Sequence, residues 1–115
     1  MLIEDIRSFE IVMPNLMQYL KNRKYNINEF FIKFELPLQY IIIQEFLFTQ
    51  YNIVLSVTPE MISVIVWDID PFDCTKIGYK QTIYTERITC IKTKLNHCYT
   101  KLIVEAFTYI ENTPF

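Results

Sequence analysis

The sequence predicts a single α+β domain, residues 1–115, with helices on one face of a small, mostly antiparallel sheet of three or four strands. Two neighbouring β-rich runs separated by a Thr-Pro-Glu turn predict a hairpin. Apolar residues at three- and four-residue spacing over the last quarter of the chain predict a long C-terminal helix. The predicted order is α-β-α-β-β-(β)-α, a sequence typical of helices segregated to one side of a sheet.

The first helix and strand are predicted by local signals. Pro14 suits the first turn of a helix, since the N–H it lacks has no partner there, and we assign this helix to residues 14–24. Residues 30–35 alternate between two sets of side chains, with Phe30, Ile32 and Phe34 on one face. Alternation of this kind predicts a strand that buries one face.

The second helix is predicted over residues 37–51, because Pro37 can open it and apolar residues recur at helical spacing. Gln44 and Glu45 lie off the apolar stripe, while other large residues widen it, so the helix should be buried on more than one side. The predicted buried stripe consists of Leu38, Ile41, Ile42 and Phe46.

The second half of the chain supplies the sheet and the last helix. Residues 53–57 and 61–69 predict the hairpin, residues 70–75 a loop and residues 76–84 a further strand. Thr85 is a plausible N-cap for a final helix over 85–111, which would be about 40 Å long. The apolar stripe predicted for that helix consists of Ile88, Ile91, Leu95, Cys98, Leu102, Ala106 and Ile110.

Composition and sequence pattern argue against several classes of protein. The net charge of −2 argues against a dedicated nucleic-acid binder, which usually carries a basic excess. No apolar run reaches the length of a membrane span, and Glu4, Asp5 and Arg7 interrupt any secretory signal. Three cysteines at irregular spacing do not form a disulfide framework. We therefore expect a cytoplasmic protein.

Two short segments carry a resemblance to a group of known proteins. Tyr51-Asn52-Ile53 ends a helix that leads into a strand, and Tyr84-Thr85-Glu86 precedes the final helix. In this pattern the chain resembles small uncharacterised proteins of bacterial phages and mobile elements. It departs from them where a His-Asn pair is expected and where an Ala should follow the helix start. Because those proteins have no established activity, the resemblance implies no catalytic residue.

An acidic segment is the candidate metal site. Asp68, Asp70 and Asp73 follow one another at the end of the predicted hairpin, and clustered carboxylates are ligands that hard divalent cations prefer. A solvated acidic loop is the alternative interpretation. His97 with Cys90 and Cys98 lacks the ligand number and spacing of a zinc site, and we predict no bound cofactor.

Three functions stay open at this point. Aromatic residues make up 16% of the chain, which codon bias in an AT-rich genome or a protein-binding face would explain. The first hypothesis is a non-catalytic interaction or regulatory module that forms a homodimer. Any other protein partner is unknown. A metal-dependent enzyme using the acidic segment and a nucleic-acid-binding regulator of a mobile element are the alternatives. The predicted contact residues are Phe31, Phe48, Tyr99 and Phe107.

Overall fold

The structure is a computed structural model that describes residues 6–69, 77–88 and 91–113. Its elements include helices before and after an uninterrupted run of strands, so the predicted α+β class is confirmed. The helices are α1 (Val12–Asn22), α2 (Ile27–Ile32), α3 (Leu36–Tyr51) and α4 (Ile91–Asn112). The strands are β1 (Ile53–Val57), β2 (Met61–Ile69) and β3 (Ile77–Arg87).

The three strands form an antiparallel meander in the order β1-β2-β3. The predicted hairpin joins β1 to β2, and its turn closes where the Thr58 N–H donates to the Met61 carbonyl at 2.9 Å. Along both strands alternate side chains are buried, namely Ile53, Leu55, Ile62 and Val64. This alternation places the helices on one face of the sheet, as the sequence predicts.

Large side chains fill the space between the sheet and the helices. Phe30, Phe46 and Phe107 are fully buried, one from each of α2, α3 and α4. The Phe107 ring also packs perpendicular to the Phe9 ring, with the ring centroids 5.5 Å apart. Rings of this size fill the core of a short chain with few side chains, and each buries much apolar area.

Helix α1 agrees with the helix predicted over 14–24 to within two residues at each end. It ends in a left-handed turn at Lys24, whose φ is 62°. Around this turn the N–H of Tyr25 donates to the Leu20 carbonyl at 2.9 Å, which is the long hydrogen bond of a Schellman motif. A cation in the last turn, Lys21, complements the helix dipole.

The strand predicted over residues 30–35 is wrong, because this segment belongs to helix α2 and the turn after it. The Asn26 side chain caps α2 by accepting a hydrogen bond from the Glu29 N–H at 3.0 Å. Adjacent Phe30 and Phe31 are both buried, whereas Ile32 is 72% exposed, a pattern that no strand with one buried face produces. The stabilisation of the helix by the Asn26 cap therefore counts for more than the strand preference that the alternation over six residues indicates.

The last helix begins later than predicted. Residues 85–87 extend β3, and the hydroxyl of Thr85 lies 3.2 Å from that of Ser63 on the neighbouring strand. Thr85 is therefore a strand residue and not an N-cap. Helix α4 has 22 residues, or about 33 Å, so it remains the longest element described.

Candidate interaction surface

Helix α3 buries one side and exposes an apolar stripe on the other. Leu38, Ile41 and Phe48 are 44%, 63% and 54% exposed. At 100° per residue these three side chains fall within about 80° of one another around the helix axis. We call this set the α3 stripe. Large apolar side chains that share one exposed helix face are typical of contact surfaces.

The predicted orientation of α3 is wrong for two of its residues. The apolar spacing predicts Leu38 and Ile41 in the core, but the buried side of α3 consists of Gln39, Ile42, Ile43, Phe46 and Leu47. Apolar residues surround almost the whole helix, so spacing alone does not distinguish one side from the other. The signal that does is polar: Gln44 and Glu45 flank the line from Ile41 to Phe48 and mark the exposed side.

The charged residue at the stripe is already paired within the chain. Glu45 Oε1 lies 3.1 Å from a guanidinium nitrogen of Arg23, on α1. The same guanidinium lies over the Tyr19 ring, 5.2 Å from its centroid. Burial raises the pKa of the Tyr19 phenol, and the negative charge of Glu45 raises it further. The pair therefore leaves the flank of the stripe close to neutral.

The edges of the sheet are poor sites for another strand. The Trp67 N–H donates to the Asn52 carbonyl, and the Thr58 N–H donates to the Met61 carbonyl. Because hydrogen-bonded and non-hydrogen-bonded residues alternate along an antiparallel strand, the backbone N–H and C=O groups of Ile53 and Leu55 point away from β2. Both residues are nevertheless buried, at 0% and 4% exposure, so the first part of this edge is covered.

At the opposite edge, β3 carries a bulge and exposed polar side chains, which are devices that discourage edge pairing. The register shifts by one residue at Ile83, because Val64 pairs with Tyr84 whereas Ile65 pairs with Thr82. The exposed polar side chains of this strand include Gln81, Thr82, Thr85, Glu86 and Arg87.

The four predicted contact residues divide between core and surface. Phe31 and Phe107 are 6% and 0% exposed and pack in the core, so they are corrected to structural residues. Tyr99 is half-buried and stacks on Tyr40 of α3, with the centroids 4.1 Å apart. Phe48 is the one of the four that lies on the α3 stripe. Sequence reasoning missed its neighbours Leu38 and Ile41.

The candidate metal site lies almost entirely outside the described residues. Asp70 and Asp73 fall in the segment 70–76, and for Asp68 the structure describes the strand but not the side chain. Within the described ranges no three His, Cys, Asp or Glu side chains are placed to hold a metal ion. The site built from Asp68, Asp70 and Asp73 therefore stays a prediction, as does the loop over 70–75.

His97 and Cys98, two of the three residues of the cysteine–histidine set, lie on different faces of α4. The Cys98 thiol is 1% exposed and free, among Tyr40 and other core neighbours. His97 is exposed, and Cys90 lies outside the described residues. Adjacent residues on a helix point about 100° apart, so His97 and Cys98 do not share a face.

A small polar pocket lies between α1 and the end of α3. Its volume is about 120 Å³, and its lining consists of Asn15, Gln18, Tyr19, Asn22 and Gln50. Hydrogen bonds engage three of these amides: Gln18 donates to Asn22 and Asn15 donates to the Tyr51 hydroxyl, both at 2.8 Å. Apart from the Tyr19 phenol, the lining offers only carboxamide side chains, with no carboxylate, imidazole, thiol or amine.

In the part of the chain that the structure describes, none of the helices combines the length and the hydropathy needed to cross a bilayer. Comparisons with protein-family models, with curated proteins and with solved structures gave no match.

Proposed function

We propose that this protein is a non-catalytic interaction module that self-associates through the α3 stripe. The observation that carries the proposal is the exposure of Leu38, Ile41 and Phe48 on one side of a helix whose other side is core. The β1 and β3 edges are poor sites for a partner, and among the side chains that the structure describes no other helix carries three large exposed apolar residues.

The charges around the stripe favour a second copy of the chain as the occupant. In a two-fold symmetric contact the same patch is present on both sides, so any uncompensated charge is brought close to its own kind. Glu45 is compensated by Arg23 at 3.1 Å within each chain. The face can therefore meet its own copy without bringing together two unpaired carboxylates.

The size of the stripe limits the affinity. Leu38 and Phe48 are ten residues apart, so the stripe is about 15 Å long. Burying the exposed half of three large apolar side chains contributes roughly 3–4 kcal/mol per copy. Association costs several kcal/mol of lost freedom, so we expect a dissociation constant in roughly the micromolar to millimolar range. The dimer should therefore depend on protein concentration.

Sedimentation velocity of the purified full chain, from about 10 µM to about 1 mM, tests the proposal. The wild type should shift from monomer to dimer across this range. Ile41→Glu should remain monomeric throughout, because it places a charge at the centre of the stripe, and circular dichroism should show it folded. Monomeric wild type at every concentration would overturn the proposal.

Met61→Glu is the matched control. Met61 is 39% exposed and lies on β2 with the side chains that alternate away from the helices. The substitution is also from an exposed apolar residue to glutamate, and Arg87 is its cross-strand neighbour. It should dimerise as the wild type does. Loss of the dimer in this variant as well would show that the effect of Ile41→Glu is not specific to the stripe.

We also place this module in the cytoplasm. The free thiol of Cys98 supports the assignment, because unpaired cysteines persist in reducing compartments. Fractionation of cells that express the tagged chain tests it, with recovery in the soluble cytosolic fraction as the expected result.

A further inference from the structure

We infer that the two copies pair with their α3 helices parallel, related by a two-fold axis that runs along the α3 stripe. This inference rests on the proposed self-association and assigns the geometry of that contact. It follows from where the two polar residues beside the stripe lie. The polar residues are Gln44 and Glu45, and the apolar line between them joins Ile41 to Phe48.

The two polar side chains lie on opposite flanks. Around the helix, Ile41 and Phe48 are only about 20° apart and define the centre of the face. From that centre Glu45 is displaced by about 50° to one side, towards α1, and Gln44 by about 50° to the other. The position of Arg23 against Glu45 confirms which flank is next to α1. The flank next to α1 thus carries a hydrogen-bond acceptor, the Glu45 carboxylate, and the other flank carries the Gln44 carboxamide.

Symmetry decides which flanks meet. If the two-fold axis is parallel to α3, the flanks exchange sides, and the Gln44 amide of each copy lies opposite the Glu45 carboxylate of the other. If the axis is perpendicular to α3, the helices are antiparallel, and each flank meets its own copy. Glu45 would then lie opposite Glu45, and Gln44 opposite Gln44.

The parallel arrangement has the better complementarity. A carboxamide N–H donates to a carboxylate oxygen, and such charge-assisted hydrogen bonds are stronger than neutral ones. The symmetry forms this bond twice, on both sides of an apolar centre where Ile41 meets Ile41 and Phe48 meets Phe48. Parallel helix dipoles oppose this arrangement, but their effect is confined to the end turns and is screened by salt.

Cross-linking of cysteine variants distinguishes the two arrangements. The background replaces Cys74 and Cys90 by Ser and keeps Cys98, which is only 1% exposed. Ile41→Cys and Phe48→Cys are prepared separately and treated with a short bis-maleimide, alone and mixed. Parallel pairing predicts cross-linked dimers of each variant alone. Cross-links that form only in the mixture, joining position 41 to position 48, would overturn the inference while leaving the proposed dimer in place.

Gln44→Lys gives a second readout that needs no cysteine. In the parallel arrangement the new ammonium group meets the Glu45 carboxylate of the other copy twice, so the dissociation constant should fall several-fold to about tenfold. In the antiparallel arrangement lysine meets lysine, and the dissociation constant should rise. Gln50→Lys, on the same helix but away from the stripe, should leave it unchanged. If the wild type shows no dimer at all, the proposed function fails first.

Discussion

Glu111 and Ile11 lie 100 positions apart in the chain, and the Glu111 carboxylate accepts a hydrogen bond from the Ile11 N–H at 2.7 Å. The same oxygen accepts a second bond from the N–H of Val12 at 3.0 Å. Helix α1 has no cap from its own N-cap side chain, so the last turn of α4 supplies one. A negative group there also complements the dipole of α1.

Removing the Glu111 carboxylate should destabilise the fold. Glu111→Ala leaves two amides at the start of α1 without their acceptor, and the loss of a cap costs about 1–2 kcal/mol. Urea unfolding followed by circular dichroism measures the change in the free energy of unfolding. Glu111→Gln keeps a carbonyl oxygen in place and should lose clearly less. Equal losses in the two variants would show that packing, and not the hydrogen bonds, is what Glu111 provides.

The buried amide of Gln39 should be required for the junction of α2 and α3. Its Nε2 donates to the Phe30 carbonyl at 2.9 Å, and Gln39 is 4% exposed. Gln39→Leu leaves that carbonyl buried without a donor, which costs about 1–3 kcal/mol. Gln50→Leu, an exposed change on the same helix, should stay within about 0.5 kcal/mol of wild type in the same urea experiment.

Lys24 is a position where glycine should stabilise the protein. Its φ of 62° lies in the left-handed region, where a residue with a Cβ is strained by roughly 1–2 kcal/mol. Replacing Lys24 by glycine relieves this strain, but the greater freedom of glycine in the unfolded chain offsets part of the effect. Lys24→Gly should therefore stabilise the protein by about 0.5–1 kcal/mol. Lys21→Gly, inside α1, should instead destabilise by about 1 kcal/mol. Thermal unfolding of both variants measures the two signs.

Stability should fall at high pH through Tyr40. Burial, with Tyr99 and Cys98 nearby, raises the pKa of the Tyr40 phenol to about 12 from an ordinary value of 10.0. Between these values the unfolded chain loses the proton and the folded chain keeps it, so the free energy of unfolding decreases as pH rises, by about 1–2 kcal/mol after solvent screening of this half-buried group. Below pH 10 the contribution is constant.

Tyr40→Phe isolates that contribution. The difference between wild type and variant in urea unfolding should be constant from pH 7 to 9 and should change in favour of the variant between pH 10 and 12. Tyr84, whose pKa is also raised, is present in both proteins, so its contribution cancels in the difference. A difference that does not vary with pH would contradict the assignment to Tyr40.

The sequence predicts best where local chemistry and burial agree. The β1–β2 hairpin and the bounds of α3 follow from a turn and a proline, and the structure has both. The strand predicted over 30–35 fails because the Asn26 cap and a core with room for two adjacent rings favour a helix. The start of α4 fails because β2 is long enough to pair with residues 85–87, which spacing along one segment cannot show.

The exposed side of α3 cannot be identified from the spacing of its apolar residues. An all-round apolar helix presents several equivalent stripes, and only the position of its neighbours selects the buried one. On the buried side Phe46 packs against Tyr19 of α1 and Gln39 bonds to Phe30 of α2, while Ile41 is exposed. Phe31 and Phe107 belong to a core that is built almost entirely from large side chains, so a high aromatic content does not by itself mark a residue as part of a contact surface.

Burial at the edge of β1 protects an aggregation-prone segment in the folded protein. The strand Ile53–Val57 contains no charged residue, no proline and no bulge. A segment that lacks all three is prone to amyloid-like stacking. In the native state Ile53 and Leu55 are buried and offer no template. Aggregation should therefore start from molecules in which this edge has opened, so its rate should follow the population of partly unfolded chains and not the dimer equilibrium at α3.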